Sequence, residues 1–159
     1  MALDNLRKLY QQVILEHDKK LRHRGMTDPV HRHQWGHNPS YGDTIELTVQ
    51  LEALEERIAA VKFEGEGCAI AMASADLMAD AMQGKPLPEA LQMVQAFQNM
   101  MKGEGEFPRE HRKLNVMQGV AQLPVRIKCA TLAWHTLKAA LEHQSVESAD
   151  EFVSNEEND

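Results

Sequence analysis

The chain has two cysteines, Cys68 and Cys129, and each stands where a helix is expected to begin. Cys68 follows Gly65-Glu66-Gly67 and precedes the small-residue run Ala69-Ile70-Ala71-Met72-Ala73-Ser74-Ala75. Cys129 follows Arg126-Ile127-Lys128 and leads into Ala130-Thr131-Leu132-Ala133-Trp134. A sulfur at a helix start faces free N–H groups and the positive end of the helix dipole, which lower a thiol's pKa. Two low-pKa thiols at two helix starts predict a metal or sulfur site. Asp43 is a third candidate, since it follows Gly42 at the start of an alternating segment. If that segment and the next form a hairpin, the start of one lies beside the end of the other, and Asp43 neighbours Cys68.

Other residues invite the same question and receive a different answer. His31 and His33 would share one side of an extended strand, and His37 follows closely. That segment reads as loop without nearby thiols or carboxylates, so a surface histidine cluster with adventitious metal affinity is expected. Gly65-x-Gly67 lacks the Lys-Ser/Thr of a phosphate-binding loop. The methionines at helical spacing are expected to fill the core. Lys128 either stabilises a thiolate or sulfide charge or is solvated, and Arg126 is expected to be an exposed partner contact or an ion pair.

The elements that must position these residues follow from periodicity. Leu3, Leu6, Tyr10, Val13 and Ile14 recur at helical spacing. The stretch 22–39, rich in His, Arg, Gly and Pro, reads as loop with room for one irregular edge strand. Ile45, Leu47, Val49 and Leu51 then alternate with Thr44, Glu46, Thr48 and Gln50, as in a strand with one buried face. After a turn over 53–56, Ala59, Val61 and Phe63 alternate with Ala60, Lys62 and Glu64, so the two strands form an antiparallel hairpin. A helix from Cys68 to about Met82 ends at Gly84 and Pro86. Leu87, Leu91, Val94, Phe97 and Met101 mark a second helix; 103–112 reads as a polar connection, and 115–120 as a helical turn interrupted at Pro124. A final helix is expected from about Cys129 to His143. The order predicts an α+β fold: a small three-stranded antiparallel sheet with helices on one face.

A length of 159 residues suits one domain, assigned here to 1–144. Residues 145–159 hold six acidic side chains and no basic ones, and are expected to be a disordered tail. The net charge of −7 thus resides mainly in that tail, and the rest is near neutral. Nucleic-acid binding, which needs clustered Lys and Arg, is not expected. Neither is a membrane span, because no apolar run is long enough. The start MALDNLRKLYQQ does not read as a signal peptide, so a cytoplasmic location is expected. A reducing compartment disfavours a Cys68–Cys129 disulfide.

Gly65–Ala75 and Arg126–Trp134 resemble the two cysteine motifs of the SufU/IscU family of iron–sulfur cluster assembly scaffolds. Asn38-Pro39-Ser40-Tyr41-Gly42-Asp43 resembles that family's third motif, Asn-Pro-x-Cys-Gly-Asp. The long segment between Gly84 and Cys129, and Lys128 where IscU proteins usually carry histidine, resemble the SufU branch. The resemblance implies the same α+β fold and gathers Asp43, Cys68 and Cys129 as ligands of zinc, iron or a transient iron–sulfur cluster. It implies a cysteine desulfurase as sulfur donor and apo iron–sulfur proteins as recipients. Tyr41 departs from the motif, standing where the family has its first cysteine. A phenol cannot accept sulfur and is a poor zinc ligand at neutral pH. The resemblance therefore leaves several outcomes: three protein ligands with an open position, a substitute ligand such as His37, transfer of the sulfur-accepting role to Cys68 or Cys129, or loss of transfer. They correspond to a scaffold or sulfur carrier, a zinc-dependent sulfurtransferase, or a metal-free regulator that binds the desulfurase.

Overall fold

The computed structural model describes residues 8, 11–12, 14–16, 20–52, 54, 56–142 and 152–154. Three strands, β1 (Arg32–Asn38), β2 (Asp43–Glu52) and β3 (Arg57–Glu66), form an antiparallel meander. Four α-helices follow: α1 (Ala69–Met82), α2 (Leu87–Met101), the single turn α3 (Gln118–Ala121) and α4 (Ile127–Glu142). Tight 3-10 turns occupy Arg109–Met117 and Pro124–Arg126. A short fourth strand, β4 (Phe152–Ser154), pairs parallel to β1, giving the order β3-β2-β1-β4. The α+β architecture with helices on one face is as expected from the sequence.

Burial explains why the hairpin was readable. Ile45, Leu47, Val49 and Leu51 are buried in the core, while Thr44, Glu46 and Gln50 between them are only partly covered; Thr48 is buried too, where its hydroxyl accepts the Thr27 N–H. On β3 a register shift between Gln50 and Leu51 pairs Leu51 with Ile58 and Gln50 with Ala60. This bulge makes Ile58, rather than Ala59, the inward residue beside Val61 and Phe63.

Several expectations require correction. The segment read as loop contains β1, a regular seven-residue strand lying between β2 and β4 rather than at an edge. Its inward residues are Arg32, Gln34, Gly36 and Asn38, so no apolar alternation announces it. Gly36 is there because α4 crosses close above: a Cβ would collide with the Thr136 hydroxyl and stand 3.0 Å from Ile45 Cγ2. Phe152–Ser154 form a strand inside the stretch expected to be disordered, where Phe152 and Val153 interrupt the acidic run and the backbone pairs with β1. Helical backbone begins at Arg109, within the expected polar connection. Of the N-terminal helical positions, Ile14 is helical and buried, whereas Leu3, Leu6, Tyr10 and Val13 lie outside the described residues, as does His143.

The core between sheet and helices includes Met72, Met78, Met82, Met93, Met100, Met101 and Met117, all buried as expected. Trp134 of α4 is fully buried and stacks on Phe97 of α2 at 4.2 Å between ring centroids. Its indole N–H donates to Ser74 Oγ on α1 (3.1 Å), and that hydroxyl donates to the Ala130 carbonyl (2.6 Å). This chain ties α1 to α4 within a turn or two of each cysteine, which fixes the spacing of the two sulfurs.

Candidate metal centre

The site is assembled where three elements begin. Asp43 is the first residue of β2, Cys68 is the N-cap of α1, and Cys129 lies in the first turn of α4. The antiparallel pairing sets Thr44 opposite Glu66, so the start of β2 lies beside the exit of β3, as the hairpin argument required. The chain then passes over Asp43 at Gly67. A Cβ there would meet Asp43 Oδ1 at 2.8 Å, so glycine permits the close approach. The Cys68 N–H consequently donates to Asp43 Oδ1 at 3.0 Å.

One ligand atom from each of Asp43, Cys68 and Cys129 lies within 4.8 Å of the others. Two donors each about 2.3 Å from one ion stand roughly 3–4 Å apart, so small side-chain adjustments bring this trio to coordination distance. Asp43 and Cys129 are buried and Cys68 is half-buried, so the centre opens toward solvent on the Cys68 side. Asp43 Oδ2 accepts from Asn38 Nδ2 at 3.0 Å, and the same amide lies 3.7 Å from Cys129 Sγ. Asn38 is fully buried and its Oδ1 has no hydrogen-bond partner. The carboxylate is thus oriented from both sides, an arrangement typical of groups that support metal ligands. Two thiolates and a carboxylate suit zinc or iron, and the residues present fit such an ion.

The two thiols differ electrostatically, correcting the expectation of two depressed pKa values. Cys68 is lowered to about 6, first by the hydrogen bond from Cys129 and then by the N–H of Ala71, which outweigh its partial burial. Cys68 Sγ accepts from that N–H at 3.5 Å. Cys129 is pushed up, because its S–H is held by Cys68 and because burial and the charges of Cys68 and Asp43 disfavour a second anion. In the metal-free site one proton therefore resides on Cys129 and one negative charge on Cys68.

Tyr41 is exposed and lies at the rim, with the Arg126 guanidinium carbon 4.5 Å above its ring centroid. Arg126 Nη1 also approaches Cys129 Sγ at 4.0 Å. Arg126, expected to be an exposed partner contact or an ion pair, thus stands at the rim of the site with its guanidinium beside a sulfur. Its position one turn before Cys129 was the available signal, since i and i+3 share a helical face. Asn38 was missed as a functional residue although it belongs to the quoted motif. Lys128 is half-buried in the first turn of α4, and its carbonyl accepts from Thr131 Oγ1 at 3.4 Å.

The histidines do not converge. Asn38 faces the helices, so His37, the preceding residue, points to the other face of the sheet and cannot replace the missing cysteine. Its Nδ1 lies 3.4 Å from Thr44 Oγ1. His33 Nε2 pairs with Glu46 Oε2 at 2.7 Å, so a carboxylate is in fact close by. His31 Nδ1 accepts the Leu51 N–H at 2.8 Å. Among the described residues, Asp43, Cys68 and Cys129 form the one group of three or more such donors able to share an ion.

A small α+β fold whose helix starts and strand start converge two cysteine sulfurs and a carboxylate is the architecture of a candidate thiolate metal centre. The chain belongs to the NifU-like N-terminal domain family, whose sequence profile matches residues 9–149. It is 40% identical over 146 residues to the iron–sulfur cluster assembly scaffold protein IscU of Streptococcus pyogenes serotype M1, covering 91% of this chain and 90% of that one. It is 42% identical over 136 residues to the zinc-dependent sulfurtransferase SufU of Bacillus subtilis strain 168, covering 84% and 90%. The fold superposes with a TM-score of 0.77 and 34% identity on a putative iron–sulfur cluster assembly scaffold protein for the SUF system from Fervidobacterium islandicum AW-1, covering 85% of this chain and 98% of that one.

Proposed function

We propose that this protein is an iron–sulfur cluster assembly scaffold or sulfur carrier that holds zinc, iron or a nascent cluster through Asp43, Cys68 and Cys129. The observation that carries this reading is the convergence of those three donors within 4.8 Å of one another. A bound zinc or iron ion would supply a positive centre that keeps both sulfurs deprotonated and binds sulfide. The chain's own residues do the rest. Asn38 and the Cys68 N–H hold the carboxylate, burial of Asp43 and Cys129 excludes water from the inner side, and the half-buried Cys68 remains reachable for sulfur delivery.

A scaffold or sulfur carrier of this kind needs a sulfur donor and a cluster recipient, and we propose a cysteine desulfurase and apo iron–sulfur proteins for these roles. No helix among the described residues is long and apolar enough to cross a membrane. We propose a cytoplasmic location, where a reducing environment keeps the two thiols free to bind metal. The test is metal content: protein prepared anaerobically without an affinity tag should carry about one zinc or iron per chain. Cys68→Ser and Cys129→Ser should each lose it, and unchanged metal in both variants would refute the assignment.

The 42% identity to a zinc-dependent sulfurtransferase favours a second reading, in which the protein accepts sulfur catalytically. Tyr41 opposes it, because the phenol cannot carry a persulfide. Desulfurase turnover decides between them. Strong stimulation by the native chain supports the sulfurtransferase, whereas stimulation seen only with Tyr41→Cys identifies a carrier without the acceptor.

A further inference from the structure

We infer that the fourth coordination position of this centre is filled from solution by a small thiol that carries a carboxylate, with Arg126 as the residue that selects it. The inference rests on the metal-site reading above and goes beyond it by naming a ligand class. Among the described residues the centre offers three donor side chains, while zinc in thiolate sites takes four. The missing donor belongs on the exposed side. Asp43 and Cys129 are buried, Cys68 is half-buried, and the exposed Tyr41 stands at the rim.

That rim is cationic. Arg126 is held over the Tyr41 ring at 4.5 Å and reaches to 4.0 Å from Cys129 Sγ. A planar guanidinium beside an open metal position matches a ligand with a soft sulfur donor at one end and a carboxylate at the other. Tyr41 thereby has a function of its own: it leaves the position open and positions the selecting cation. The ligation step is an exchange without redox chemistry. The thiol's S–H bond breaks, its proton passes to solvent, and a sulfur–metal bond forms.

The test uses the full chain loaded with cobalt(II), whose thiolate charge-transfer absorption counts bound sulfurs. L-Cysteine should raise that absorption by about one half as two sulfurs become three, and should bind about tenfold more tightly than cysteamine, which lacks the carboxylate. Arg126→Gln should bring cysteine down to the cysteamine level and leave cysteamine unchanged. Tyr41→Cys should saturate the fourth position and abolish the response to either thiol. Cobalt binding with no thiol response, or equal affinity for both thiols in the native chain, overturns the inference alone. A chain that takes up no cobalt overturns both the inference and the metal-site reading.

Discussion

Among the described residues, one group of metal-binding side chains converges and the neighbouring set of histidines does not. Asp43, Cys68 and Cys129 are spread over 87 residues of sequence yet place their donors within 4.8 Å of one another. His31, His33 and His37 lie within seven residues, and each has a separate partner: the Leu51 N–H, Glu46 and Thr44. The difference lies in geometry. A strand advances about 3.3 Å per residue, so His33 and His37 on one face stand roughly 13 Å apart along it. Element starts, by contrast, can be folded onto one point, and they bring free N–H groups that orient anionic ligands.

The largest effect should come from breaking the converged group. Cys68→Ser or Cys129→Ser should weaken zinc binding by more than about 100-fold, beyond the loss usual for a supporting residue. His33→Ala and His37→Ala should leave stoichiometry and affinity unchanged, as measured by competition with a chromogenic chelator. Loss of metal on removing either histidine would erase the distinction between the two groups.

Asn38→Ala comes next. It removes the amide that holds Asp43 Oδ2 and approaches Cys129 Sγ, and should weaken zinc binding by about 10–100-fold. The metal-free fold should still show cooperative unfolding. Undiminished affinity would mean that the Cys68 N–H alone orients the carboxylate.

How much of this was legible in the sequence follows from the same geometry. The β2–β3 hairpin and the helix ends were readable because apolar residues alternate or recur there and glycines punctuate them. That reading brought Asp43 beside Cys68, while Cys129 was joined to them through family resemblance, since no local pattern encodes packing of α4 on the sheet. β1 was hidden by its polar inward face of Arg32, Gln34 and Asn38. The unequal thiols were hidden because a pair sharing one proton exists only once the fold brings the sulfurs together. The contact of Arg126 with Tyr41 was hidden for a similar reason, since the two are distant in sequence.

The thiol asymmetry gives a pH prediction for chelator-stripped protein. Cys68, held near 6, is mostly thiolate at neutral pH, whereas Cys129 keeps its proton. Iodoacetamide should therefore modify one thiol per chain, Cys68, with a rate that rises as pH increases through about 6 and levels off by about 7. Peptide mapping identifies the site. Equal labelling of both cysteines, or a rate still climbing through pH 8, would show that the sulfurs do not share a proton.

The smallest effect belongs to the group that does not converge. His33 on β1 reaches diagonally to Glu46 on β2, the cross-strand partner of Trp35, at 2.7 Å with both side chains mostly covered. Trp35 meets His33 edge-on at 5.8 Å between centroids. Replacing His33 with Ala removes one hydrogen-bonded pair and one ring contact on the face away from the helices. It should cost about 1 kcal/mol of folding stability, read as a shift in the urea midpoint. Because the loss lies outside the centre, it should be the same with and without zinc. A zinc-dependent difference would mean that the outer face of β1 communicates with Asn38 at the strand's end, and that the two groups are one system.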